Sequence, residues 1–214
     1  PLPGTAAKHY HEDVSAAIGR DPLSKVLTKS FRDLLGGDIK LVGVRIRKAE
    51  KPLRTKFVYQ FRAGKKYFSI DLIHAASMIK EIAPIYLITR ELVHRGDFLL
   101  IEEPESHLHP GAQFKMAGIL ATLARNGANI LLTTHSIVML RKLSHFVGKK
   151  PEEEAPLIDL DSIAVYWLRE GKYGSTTKML KISPHGALDE IPSFDEVVNE
   201  LYEEELELQI GRED

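Results

Sequence analysis

The sequence predicts an α/β protein: a parallel-sheet lobe with flanking helices, preceded by a small antiparallel β unit. Two short apolar runs, 98–101 and 129–133, are each followed by a segment of helical periodicity, which is typical of a βαβ unit with a parallel sheet. Upstream, the run 39–47 alternates apolar with basic residues, which is typical of an antiparallel strand with one solvated face.

The composition is that of an ordinary globular chain. Its 214 residues are 43% hydrophobic and 28% charged. With a formal net charge of −1, any contact with nucleic acid is expected to be local or made elsewhere. The lack of cysteine excludes disulfides and thiolate metal ligands and favours a cytoplasmic location. No apolar run is long enough to predict a membrane span, so no membrane partner is expected. The start at Pro1 shows neither an initiator methionine nor a signal pattern, so we expect a fragment of a longer protein.

We expect a single domain over residues 1–214, organised in three parts. Residues 1–70 predict a helix and the antiparallel β unit, residues 71–148 the parallel-sheet lobe, and residues 149–214 a β-hairpin with an acidic C-terminal helix. The predicted strands are 39–47, 57–62, 67–70, 98–101, 129–133, 162–168 and 176–182, and the predicted helices include 74–94, 110–126, a helix ending near 143, and 194–208.

Two adjacent carboxylates follow the first apolar strand. Glu102 and Glu103 stand at its C-terminal end, and Pro104 ends the strand. Ligands of open α/β sheets collect at this edge, and adjacent residues there point in opposite directions. One carboxylate can therefore face a Mg²⁺ ion while the other faces the γ-phosphate of a nucleotide and an attacking water.

A histidine occupies the equivalent position one strand later. His135 follows the second apolar strand after Thr133 and Thr134. Because neighbouring parallel strands end at the same edge of a sheet, its imidazole is expected near the same phosphate. There it can hydrogen-bond the γ-phosphate or the water and sense whether that group is present.

Together these segments resemble the Walker B, D-loop and H-loop series of ABC-type ATPases. The resemblance rests on Glu102-Glu103-Pro104, on Ser106-His107-Leu108-His109-Pro110 and on Thr133-Thr134-His135-Ser136. It is strongest to AAA proteins similar to the overcoming-lysogenisation-defect family, with RecF and the structural-maintenance-of-chromosomes proteins more distant. It covers residues 74–143 well and residues 162–214 weakly, and it implies a partial P-loop NTPase fold of the ABC type.

The resemblance also implies site roles, cofactors and partners. Glu102 would be the acid on the Mg²⁺ side and Glu103 the catalytic glutamate. His135 would be the switch histidine, acting with Glu103 on ATP. The D-loop would supply nucleotide contacts from Ser106, His107 and His109. ABC-type ATPases bind ATP and Mg²⁺ between two head-to-tail subunits, so self-association is expected.

The sequence departs from the family pattern in two places. It contains no Gly-x-x-x-x-Gly-Lys-Ser/Thr, so an N-terminal Walker A segment is expected from elsewhere in a longer chain or from a separate polypeptide. The family's signature motif aligns with residues 75–81, where Met78 replaces its glycine. Ser77 remains available to contact the nucleotide of the opposite subunit, with capping of its own helix as the alternative.

ATP hydrolysis by the intact protein is the predicted function, and the isolated fragment is expected to be nearly inactive. The alternative is a non-hydrolysing interaction or DNA-tethering module derived from the same fold. A zinc hydrolase built on His107 and His109 is disfavoured because no third imidazole stands at ligand spacing, and a nuclease would need further acidic clusters. Contact with DNA would use a basic run on and around the antiparallel strands, otherwise a solvated face. The run comprises Lys40, Arg45, Arg47, Lys48, Lys51, Arg54 and Lys56.

Overall fold

The computed structural model describes residues 22–44, 54–148 and 157–210. They fall into two compact units, the first ending at His135 and the second beginning at Ser136. The single domain expected over residues 1–214 stays a prediction. The helices and strands, in chain order, are α1 (Pro22–Leu35), β1 (Gly37–Val44), β2 (Arg54–Ala63), β3 (Lys66–Asp71), α2 (Ser77–Glu91), β4 (Phe98–Glu102), α3 (Pro110–Arg125), β5 (Asn129–Thr133), α4 (Ile137–His145), β6 (Val165–Gly171), β7 (Gly174–Leu180) and α5 (Pro192–Ile210).

The first unit begins with the predicted antiparallel β unit. Strands β1, β2 and β3 pair in that order, with Gly37 opposite Phe61 across the first pair and Val58 opposite Asp71 across the second. Helix α1 ends at Gly36, whose φ of +67° is a left-handed conformation that glycine adopts without strain. The small antiparallel meander is therefore confirmed, although residues 45–47 of its first predicted strand lie outside the described residues.

Helix α2 packs through one face against α1, where the Tyr86 ring contacts that of Phe31. Ile79, Ile82, Ala83 and Tyr86 are buried, as the 3.6-residue spacing predicts. The helix is shorter than the predicted 74–94, because the chain makes a 3₁₀ turn that ends at His74 before the helix begins.

Pro84 lies well inside α2. Proline has no N–H to donate to a carbonyl of the preceding turn, so α2 lacks one backbone hydrogen bond there. The packing of its buried face stabilises the helix despite this loss.

Strands β4 and β5 form a two-stranded parallel sheet connected by α3. Phe98 pairs with Asn129 and Glu102 with Thr133, so the two strands end in register. The predicted βαβ unit is confirmed. Apolar strands of a parallel sheet are usually covered on both faces, but these two strands are not wholly buried. Leu100 and Leu131 are 65% and 53% exposed, whereas the buried residues belong mainly to α3. Within the described residues, one face of this sheet has no cover.

The second unit contains the predicted hairpin and the C-terminal helix. Strands β6 and β7 pair antiparallel down to Gly171 opposite Gly174. The first strand starts three residues later than predicted, because residues 160–162 form a 3₁₀ turn. Helix α5 starts earlier than predicted. Its exposed apolar side chains include Val197, Val198, Leu201 and Leu208.

None of the helices in the described ranges combines the length and the apolar character that crossing a lipid bilayer requires.

Candidate functional site

The acidic doublet stands where β4 ends. Glu102 is the last residue of the strand, lies opposite Thr133 of β5 and is exposed. Glu103 leaves the strand with a φ of +43°, which is uncommon for a residue with a side chain. Its backbone N–H still donates to the Thr133 carbonyl at 3.0 Å. This bond holds the beginning of the turn after β4 against the end of β5.

The turn brings the Glu103 carboxylate to His135. Glu103 Oε1 lies 3.7 Å from Nε2 of His135, and its other oxygen accepts a hydrogen bond from Ser106 Oγ at 3.3 Å. The Glu103 side chain is 51% exposed and that of His135 is 87% exposed. A carboxylate and an imidazole that converge in this way, with open space around both, can act together on a bound phosphate and a water molecule.

Of the other residues in this turn, some have buried side chains and others have exposed side chains. Leu108 is buried, which fixes the turn to the core, whereas His107 and His109 are exposed. His107 has a φ of +60°, a second left-handed residue in the same turn. His109 caps α3, because its Nδ1 accepts a hydrogen bond from the Gly111 N–H at 3.3 Å. Both imidazoles are exposed to solvent.

Ser77 lies apart from this carboxylate–imidazole pair in the hydrogen-bonding scheme. It is exposed at the first position of α2, and Ala76 rather than Ser77 occupies the cap position. The alternative role of Ser77 as a helix cap is therefore wrong. Among the described residues no hydrogen bond or ion pair links Ser77 to Glu103 or His135.

The comparisons with known proteins concern the family and the fold. Residues 73–141 match a family model described as "AAA domain, putative AbiEii toxin, Type IV TA system". The resemblance to ABC-type AAA ATPases is confirmed. We refer to residues 73–141 as the AAA-type segment; it contains both the acidic doublet and His135. No curated protein matches the sequence.

Solved structures of SMC ATPase heads share the fold. The SMC head bound to the C-terminal winged-helix domain of ScpA superposes with a TM-score of 0.51 at 14% identity, over 75% of this chain and 43% of that chain. An SMC ATPase from work on ATP-driven dimerisation and DNA-stimulated activation gives 0.48 at 14% identity, over 75% and 84%. The Smc head of Pyrococcus furiosus with an extended coiled coil, bound to the C-terminal domain of ScpA, gives 0.48 at 14% identity, over 84% and 37%. The chain thus spans less than half of two of these three proteins. The first of these, with a TM-score above 0.5, shows that the chain has the fold of an SMC ATPase head, a P-loop NTPase fold as predicted.

The AAA-type segment offers a small donor set for a metal. In the ranges 22–44, 54–148 and 157–210, no three or more histidine, aspartate or glutamate side chains cluster as a metal site. The structure therefore gives no support to a zinc site at His107 and His109. Mg²⁺ needs fewer protein ligands, since it is bound through one or two carboxylates together with substrate phosphates and water. The exposed carboxylate of Glu102 fits that requirement.

One residue of the AAA-type segment was missed by sequence reasoning. Glu105 is only 8% exposed, and its Oε1 accepts hydrogen bonds from Thr134 Oγ1 at 2.5 Å and from the His135 backbone N–H at 2.8 Å. It therefore joins the turn after β4 to the turn after β5. The available signal was a third carboxylate in Glu102-Glu103-Pro104-Glu105, directly after a strand where only two had an expected role.

The basic run has little structural support as a nucleic-acid surface. Lys40 is exposed, but Lys56 donates to Asp71 Oδ1 at 2.5 Å. Arg54 begins β2. The other predicted members lie outside the described residues, namely Arg45, Arg47, Lys48 and Lys51.

Proposed function

We propose that the protein containing this chain hydrolyses ATP to ADP and phosphate, and that Glu103 and His135 act at the γ-phosphate. The AAA-type segment and the ABC-type fold support an ATPase in general terms. The observation that carries the specific proposal is the 3.7 Å approach of Glu103 Oε1 to His135 Nε2 at the ends of adjacent parallel strands. In open α/β sheets this edge is where nucleotides bind.

Each side chain has a role that follows from its surroundings. Glu103 orients the attacking water and accepts its proton; Ser106 holds one carboxylate oxygen, and the other remains accessible. His135 donates a hydrogen bond from its imidazole to the γ-phosphate. Glu102 would hold Mg²⁺, which when bound with ATP neutralises charge on the phosphates. His107 and His109 offer further polar contacts to the nucleotide from the same turn.

We also propose that a further segment supplies the phosphate-binding loop. The chain itself contains no Walker A sequence. The parallel sheet presents Leu100 and Leu131 on a face that is uncovered within the described residues, and an apolar sheet face of this kind requires a packing partner. A strand and helix carrying the loop would cover it. Without that segment, ATP is not positioned, and this chain alone should be nearly inactive.

The intact protein is proposed to work as a head-to-tail dimer in the cytoplasm, where ATP is available. The position of Ser77 is consistent with this proposal, because the residue is exposed at the start of the 15-residue helix α2. Helix N-termini attract phosphate groups. In this arrangement Ser77 of one subunit contacts the nucleotide bound by the other. Met78, which is half-buried, takes the place of the smaller glycine of the family.

The test is ATP turnover by the full-length protein and its Glu103→Gln variant. Removing the proton acceptor should lower kcat by about 10²-fold or more, with ATP binding retained. Glu170→Gln is the matched control, since Glu170 is an exposed glutamate on β6 that has no role in the proposed chemistry. Light scattering of the Glu103→Gln protein with ATP should report a dimer.

If the Glu103→Gln and wild-type proteins turn over ATP alike, the proposed hydrolytic function is wrong. If neither turns over ATP although both bind it, the non-hydrolysing interaction module is the correct interpretation.

A further inference from the structure

Glu105 is an unusual buried residue in the described part of the chain. The other buried polar side chains, Thr89 and Ser144, donate to carbonyls of their own helices three or four residues away. Glu105 instead accepts hydrogen bonds from residues 29 and 30 positions further along the chain. Glu105 therefore connects two loops, whereas Thr89 and Ser144 make hydrogen bonds only within their own helices.

The burial of this carboxylate is costly. Its Oε2 atom is buried and has no hydrogen-bond partner among the described residues. A buried polar oxygen without a partner is destabilising, and an apolar side chain of similar size would avoid that penalty. The local fold alone gives no reason to keep a glutamate here. The two hydrogen bonds that Oε1 accepts provide such a reason.

Those two bonds act directly on the candidate catalytic pair. Glu105 is two residues after Glu103, in a turn stabilised by the Ser106 N–H donating to the Glu103 carbonyl at 2.9 Å. Its Oε1 atom holds the backbone N–H of His135 itself and the hydroxyl of the preceding Thr134. The position from which the His135 side chain extends is thereby set relative to the turn that carries Glu103.

We propose that Glu105 is a positioning residue that sets the spacing between the Glu103 carboxylate and the His135 imidazole. The proposal rests on the ATPase function proposed above, and Glu105 does not itself touch the nucleotide. Because a single oxygen makes both bonds, a glutamine retains them through its amide oxygen, whereas an alanine removes both. Valine at position 134 removes one bond while preserving the shape of the side chain.

Enzyme kinetics of the full-length protein provide the first test. Glu105→Ala should lower kcat for ATP hydrolysis by about 10-fold to 10²-fold with KM for ATP little changed, because misplacing a catalytic group by a fraction of an ångström affects the chemical step. Glu105→Gln should recover most of that loss. Thr134→Val should fall between Glu105→Ala and the wild type, and it keeps the test decisive if Glu105→Ala fails to fold.

A double-mutant comparison separates positioning from general damage. If Glu105 acts through His135, then Glu105→Ala should cause no further loss of kcat in a His135→Ala background. Multiplicative losses in the two backgrounds would overturn the proposal, as would a Glu105→Gln protein as slow as Glu105→Ala.

Hydrogen exchange gives a readout that does not depend on activity. The backbone amide of His135 should exchange faster in Glu105→Ala than in wild type and stay protected in Glu105→Gln. Unchanged exchange in Glu105→Ala would overturn the proposal even if the enzyme were slower. If Glu103→Gln leaves turnover intact while His135 exchange responds as expected, the positioning contact stands and the proposed hydrolytic function fails.

Discussion

Glu103 holds a strained backbone conformation at the point where chemistry is proposed. A left-handed residue other than glycine costs about 1–2 kcal/mol, so surrounding contacts must hold it in place. At Glu103, with its φ of +43°, these are the bond from its N–H to the Thr133 carbonyl and the bond that its own carbonyl accepts from the Ser106 N–H. This left-handed conformation directs the Glu103 side chain away from the strand direction and toward His135.

His107 has the same backbone conformation, and its side chain is exposed, so its strain can be tested separately. The change His107→Val should lower the free energy of unfolding by about 1–2 kcal/mol, because β-branched residues tolerate the left-handed region poorly. Urea denaturation of the protein measures the difference. His107→Gly is the control at the same site and should be at least as stable as the wild type, since glycine adopts a φ of +60° without strain. Equal stability of the valine and glycine variants would contradict the strain.

At the scale of elements, the end of α3 sets the start of β5. The Ala128 N–H donates to the Leu123 carbonyl and the Gly127 N–H to the Ala124 carbonyl, the pattern of a Schellman motif. Gly127 has a φ of +94°. This ending turns the chain directly into the strand that leads to His135, so the position of that residue depends on a glycine eight residues before it.

Gly127 and Gly96 share a φ of +94° but differ in their surroundings. A Cβ at Gly127 would lie 2.6 Å from Cγ of Arg95, whereas a Cβ at Gly96 would meet nothing within 4 Å. Both Gly127→Ala and Gly96→Ala should therefore lose about 1–2 kcal/mol from backbone strain. Gly127→Ala should lose more, because the Arg95 side chain must also move. Thermal or urea unfolding of both variants measures the difference, and identical losses would show that Arg95 yields without cost.

The element boundaries show which features were readable from the sequence. The apolar runs 98–101 and 129–133 predict β4 and β5 to within one residue. The starts of α2 and β6 were misplaced by three residues each, because 3₁₀ turns precede both and carry no apolar periodicity of their own.

For the whole molecule, one part of the site follows from a pattern in the sequence and the other part does not. The meeting of Glu103 with His135 follows from parallel strand order, which a βαβ pattern reveals. The bonds from Glu105 to Thr134 and His135 join residues far apart in sequence, and no local periodicity encodes them. The exposure of one face of the parallel sheet could not be predicted either. An apolar run indicates that a strand should be covered, but it does not indicate which segment covers it.

The stability of the first unit should depend on a charged network that joins α1, β1 and α2. Asp38 accepts hydrogen bonds from Arg32 at 2.6 Å and from the Tyr86 hydroxyl at 2.7 Å, and Arg90 lies 3.8 Å away. Burial alone would raise the pKa of Asp38, but the hydrogen bonds from Arg32 and Tyr86 and the nearby positive charges outweigh it, so this pKa is lowered from its ordinary value of 3.8. The folded protein thus favours the ionised carboxylate.

The network predicts an acid-dependent loss of stability that one substitution should remove. Because the folded-state pKa of Asp38 is depressed, its contribution is full at pH values above 3.8 and is lost as the pH falls through the lowered pKa. Asp38→Asn should therefore reduce the free energy of unfolding by about 1–3 kcal/mol at pH 7, and the difference from wild type should shrink as the pH falls below 3.8. Urea unfolding across that pH range measures both effects. Asp33→Asn is the matched control, since Asp33 is an exposed aspartate of α1, and it should follow the wild-type curve. A difference between Asp38→Asn and wild type that stays constant with pH would show that the carboxylate acts through its shape and not through its charge.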